Sequence, residues 1–86
     1  MTPIRLYSES RCPYCTKLKQ LLDDNNIHYT EIDVNSEPGA IDFTNIQKVT
    51  KSDMLPTVIV GNKALVPSVG FNTIDECFSI IQSLLI

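Results

Sequence analysis

Ile4-Arg5-Leu6-Tyr7-Ser8-Glu9-Ser10-Arg11-Cys12-Pro13-Tyr14-Cys15-Thr16-Lys17-Leu18-Lys19-Gln20-Leu21-Leu22 is the stretch from which the fold is read. Pro3 to Ser8 alternates Ile4 and Leu6 with Arg5 and Tyr7, the period of a strand. After Cys15 the apolar residues Leu18, Leu21 and Leu22 recur at helical spacing, so Pro13 to about Asp24 is expected as a helix ended by Asn25-Asn26. Pro13 suits the first helical position, where its missing N–H is no loss and its fixed φ matches the helix. Cys12 then stands at the helix N-terminus, before unpaired N–H groups and the positive end of the helix dipole, both of which favour a thiolate. Such positions lower a cysteine pKa from about 8.5 to roughly 3.5–7.5. Cys15 lies one turn along the same face, near enough to close a disulfide without unwinding the helix. A C-x-x-C where a strand runs into a helix points to dithiol redox chemistry, with Cys12 attacking and Cys15 resolving.

The same four residues also occur as half of a zinc site or as unreactive structural cysteines. Zinc calls for four ligands, and the remaining candidates, Cys77 and His28, are far apart and unpaired. No metal ligand set is therefore assigned. His28 reads as a surface strand residue, and Cys77 as a small hydrophobe on the inner face of the last helix.

The chain of 86 residues is sized for one domain, residues 1–86, with a modest core. Apolar residues make up 43% and charged ones 20%, ordinary globular values. Seven basic against ten acidic residues give a net charge of −3, which speaks against nucleic acid or an anionic membrane as partner. Met1 to Ser10 lacks the apolar core of a leader peptide, and no run approaches the ~18 apolar residues of a membrane span. Three cysteines, two of them in one motif, are not a disulfide framework, so a reducing, cytoplasmic setting is expected.

Further along, Ile27 to Val34 is rich in β-branched and aromatic residues and is expected as a second strand. Glu37-Pro38-Gly39 is expected to precede a second helix, roughly Ala40 to Thr50, with Ile41, Phe43, Ile46, Val49 and Thr50 on its apolar face. Thr57 to Val60 and Lys63 to Val66 flank Gly61-Asn62 and predict a hairpin with a type II′ turn. Thr73 to Leu85 is expected as the last helix, opened by a Thr73/Glu76 capping box. The order β-α-β-α-β-β-α implies an α/β fold with a four-stranded mixed sheet and helices on both faces.

With these residues in view the chain resembles a glutaredoxin of the thioredoxin-fold superfamily over essentially its whole length. The resemblance rests on Cys12-Pro13-Tyr14-Cys15, the strand Tyr29 to Val34, and Met54-Leu55-Pro56 ahead of Thr57 to Val60. It implies a thioredoxin-like fold, a monomer, and a thiol–disulfide oxidoreductase that holds no cofactor and uses glutathione as co-substrate. It implies protein disulfides and glutathione mixed disulfides as targets. It further implies a cis Pro56 beside the cysteine pair, with the Leu55 backbone free to pair with an extended substrate. Tyr14 is expected to offer apolar contact beside Cys12, Arg11 a cation, and Asn72 and Thr73 backbone N–H groups for a carboxylate. Several family positions differ: Glu9 stands where many members have Lys, Phe43 where Gln or Arg is common, Gly70-Phe71 in place of Gly-Gly, and Thr73 in place of Asp. Gly70-Phe71 is also similar to the redoxins that serve ribonucleotide reductase and are recharged by thioredoxin reductase. A third reading is a carrier in which Cys12 binds a metal or an iron–sulfur cluster.

Overall fold

A computed structural model describes residues 2–85; Met1, the first residue of the stretch read for a leader, lies outside them. Its elements are β1 (Ile4–Ser8), α1 (Pro13–Asp24), β2 (Thr30–Asp33), α2 (Glu37–Thr50), β3 (Thr57–Val60), β4 (Lys63–Leu65) and α3 (Ile74–Leu84). The sheet runs in the order β2-β1-β3-β4. β1 pairs with β2 in parallel and with β3 antiparallel, and β3 pairs antiparallel with β4. This is the expected four-stranded mixed sheet, and its architecture is thioredoxin-like.

Because β1 and β3 are central, both of their faces are covered. Ile4, Leu6, Val58 and Val60 pack with Leu18 and Leu22 of α1 and with Ile74, Cys77 and Ile81 of α3. Tyr7 and Ile59 point the other way, onto Phe43 of α2, with Ile46 and Leu55 at the margin. Each fully buried large aliphatic side chain contributes about 1.5–3 kcal/mol, so the two layers fix how α1 is aimed. Tyr7 is wholly buried, yet its hydroxyl donates to Asp42 Oδ2 at 3.1 Å and its ring lies 5.7 Å from that of Phe43. Burial, reinforced by that acceptor, pushes its pKa up to about 12 despite the nearby Arg5.

Five expectations need correction. β2 covers only Thr30–Asp33: the Ile27 N–H is spent on the Leu22 carbonyl at 2.9 Å, so Ile27 closes the end of α1 instead of opening a strand. His28 therefore sits exposed in the connection and not in the strand. α2 begins at Glu37, not Ala40, because Ser36 caps it: Ser36 Oγ accepts from the Gly39 N–H at 3.1 Å and Pro38 fits the first turn. Ile41 and Val49 are exposed, and the inward stripe of α2 is Phe43, Ile46 and Thr50 with Gln47 beside it. The hairpin is as expected, with Gly61 at φ 62° and Val60 paired to Lys63 across a two-residue turn. β4 stops at Leu65, one residue earlier than expected.

Candidate active site

β1 ends at Ser8, and the chain turns through Glu9 to Arg11 so that the Cys12 N–H donates to the Glu9 carbonyl at 3.3 Å. Cys12 is extended (φ −96°, ψ 103°) and caps α1, with Pro13 in the first turn as predicted. Cys12 Sγ accepts the Cys15 N–H at 3.0 Å. No acidic side chain stands in the first turn of α1, so a Cys12 thiolate would be the anion nearest that helix end. The two cysteines are joined as a disulfide, with Cα atoms 5.2 Å apart, inside the range such a bond permits. Cys12 is half-buried, whereas Cys15 has no exposed surface. An incoming sulfur can therefore reach only Cys12.

A groove of about 380 Å³ is lined by Tyr14, the motif residue next to Cys15 in sequence, together with Leu55, Pro56, Phe71, Asn72 and Thr73. These include five of the six substrate-contact residues expected from the sequence. Arg11, the sixth, is exposed and is not among the lining residues. Met54, Pro67, Ser68 and Ile74 also line the groove and were not anticipated. Pro67 and Ser68 could not be read from local pattern, because Ser68 takes a positive φ of 69° in the turn that carries the chain to Phe71. The Leu55–Pro56 bond is cis. No hydrogen bond among the described residues uses the Leu55 N–H or C=O, leaving both for an extended chain.

Asn72 departs from expectation in a specific way. Its N–H is already engaged, donating to Glu76 Oε1 at 2.9 Å, while Thr73 Oγ1 accepts the Glu76 N–H at 3.1 Å. The capping box thus forms, but its return arm reaches one residue beyond the cap. Phe43, at the position where a polar glutathione contact is common in the resembled family, is core. Cys77 is fully buried and burial alone pushes its thiol up to about 12, which suits a packing role. No group of three or more His, Cys, Asp or Glu side chains placed to hold a metal occurs among the described residues.

Comparison with known proteins agrees with this geometry. The glutaredoxin family model matches residues 4–65. A glutaredoxin of Vernicia fordii is 34% identical over 59 residues, which are 67% of this chain and 57% of that protein. The gene 56 protein of Mycobacterium phage D29 is 29% identical over 77 residues, 87% of this chain and 81% of its own. The chain thus spans less than three-fifths of the length of the Vernicia glutaredoxin. Among solved structures, a mutant of the thioredoxin-like protein BC3987 superposes with a TM-score of 0.72 at 25% identity, covering 96% of this chain and 99% of that one. Buckwheat glutaredoxin in complex with glutathione gives 0.71 at 20% identity, covering 95% and 70%. Glutaredoxins are thiol–disulfide oxidoreductases, and the matched segment includes Cys12, Cys15, the cis proline and the strands that hold them. The chain belongs to the glutaredoxin family.

Proposed function

We propose that the protein is a glutathione-dependent thiol–disulfide oxidoreductase that reduces protein disulfides and glutathione mixed disulfides. The observation that carries this reading is the unequal setting of the two sulfurs: Cys12 caps α1 and is open to attack, and Cys15 is buried behind it. In the reduced protein the Cys15 N–H and the helix dipole favour Cys12 as a thiolate, since both stabilise the charged form. That thiolate attacks one sulfur of a substrate disulfide; the substrate bond breaks, one thiolate leaves, and a mixed disulfide with Cys12 remains. Cys15, as thiolate, then attacks Cys12 Sγ, the mixed disulfide breaks, and the second substrate thiolate departs. The protein is left with its Cys12–Cys15 disulfide and the substrate has gained two electrons. Two glutathione molecules reverse the oxidation and become glutathione disulfide.

Glutathione as the ligand of the groove is supported by the complex formed by the buckwheat relative. It is supported as well by a concave site lined by Leu55, whose backbone N–H and C=O are free. Tyr14, 65% exposed at the lip, offers the apolar contact that a partner polypeptide would cover. A reducing compartment such as the cytosol is the setting in which this chemistry runs in the reductive direction. Glu9, Phe43 and Thr73, in place of the polar contacts common in the family, favour a second reading. In it thioredoxin reductase recharges the protein and ribonucleotide reductase is a target. The test is reduction of a protein disulfide with glutathione, glutathione reductase and NADPH, run beside thioredoxin reductase and NADPH. We expect turnover in the first system, its loss in Cys12→Ser, and retained exchange of glutathione mixed disulfides in Cys15→Ser. Undiminished turnover by Cys12→Ser would remove the assigned nucleophile, and turnover only with thioredoxin reductase would select the second reading.

A further inference from the structure

The two helix N-termini near the groove are furnished in opposite ways. α1 has no acidic residue in its first turn, so its positive end is left to Cys12. α3 carries Asp75 and Glu76 in its first turn, and Glu76 Oε1 sits 2.9 Å from the Asn72 N–H. Asn72 and Thr73 line the groove, so this donor is one that a carboxylate-bearing ligand in the groove would seek. The protein's own carboxylate holds it.

We infer that Glu76 is a selectivity determinant of the groove, acting as an internal competitor that disfavours disulfides bearing a carboxylate at the start of α3. The inference rests on the glutathione reading of the groove. A ligand carboxylate must displace Glu76 from the Asn72 N–H and then sit near the displaced charge, both of which oppose binding. Asp75 adds negative charge on the same turn, offset in part by Lys17 Nζ at 3.8 Å. A disulfide without a carboxylate there, such as one within an extended polypeptide paired to Leu55, meets neither opposition. Selection is exercised at binding, since Glu76 touches no reacting sulfur.

The experiment uses the pre-reduced full chain in single turnover, with no other reductant, and follows thiol release. One probe is the mixed disulfide of glutathione with 2-mercaptoethanol, and the other is the same compound made from glutathione diethyl ester. Wild type is compared with Glu76→Ala and with Glu76→Gln, the latter keeping a neutral acceptor for the Asn72 N–H. For each protein the apparent second-order rate on the acid probe is divided by that on the ester, a ratio that cancels general damage to the fold. We expect Glu76→Ala to raise the ratio about tenfold, the scale of one hydrogen bond to a charged group. The change should lie in half-saturation and not in limiting rate, with Glu76→Gln intermediate. An unchanged ratio, equal changes on both probes, or a shift confined to limiting rate would overturn the inference. Reaction of neither probe, in a protein that still reduces a polypeptide disulfide through Cys12, would instead sink the glutathione reading and the inference with it.

Discussion

Single side chains set the conditions under which the site holds together, and Glu31 is an example. Its Oε2 accepts from Ser8 Oγ at 2.7 Å and Lys19 Nζ at 2.8 Å, tying β2 to the end of β1 and to α1. The hydrogen bond from Lys19, followed by that from Ser8, holds its carboxyl below the usual carboxylate value, more than offsetting the effect of burial. A lowered folded pKa means stability present above the unfolded pKa and lost as pH falls through the folded one. Thermal melts of wild type and Glu31→Gln should therefore differ at pH 7 and converge as pH drops below about 4.5, the unperturbed value. A difference constant with pH would contradict the role. The cluster could not be read from the sequence, because its partners lie 12 and 23 residues from Glu31. Cys12 could, because its setting follows from the three residues that come after it.

Elements were legible in proportion to how local their signals are. α1 has its boundaries written in Pro13 and Asn25-Asn26, and the β3–β4 turn in Gly61-Asn62. The start of α2 was missed because Pro38 and Gly39 read as breakers, whereas Ser36 caps the helix and both fit its first turn. Gly39 is required there by tertiary contact: a Cβ at this position would run into the Asp33 carbonyl oxygen, at the end of β2. We expect Gly39→Ala to destabilise by about 1–3 kcal/mol, the usual cost of forcing atoms into a packed site. Chemical denaturation should show this as a lower midpoint at unchanged slope. Stability equal to wild type, or the gain that Gly to Ala brings in an open helix, would show that α2 and β2 are not packed so closely. β2 was overextended for the converse reason, since its apolar composition did not reveal that Ile27 belongs to the end of α1.

Over the whole molecule, the sheet is a platform whose two covered faces aim α1, the cis proline and the start of α3 at one groove. That architecture was legible because element order and buried runs dictate it. The furnishing of the groove was not, since the use of the Asn72 N–H by Glu76 depends on how the capping arm folds back. The central claim is electrostatic: the start of α1 holds Cys12 as an anion at neutral pH. It is tested most directly by the rate of alkylation of the reduced protein with iodoacetamide as a function of pH. Cys15 is buried, and Cys77 is buried with its thiol pushed up to about 12, so the labelled residue, identified by peptide mapping, should be Cys12 alone. The account predicts a titration midpoint below 7, within the roughly 3.5–7.5 range of helix-capping cysteines. A midpoint at or above the free-cysteine value of about 8.5 would contradict it.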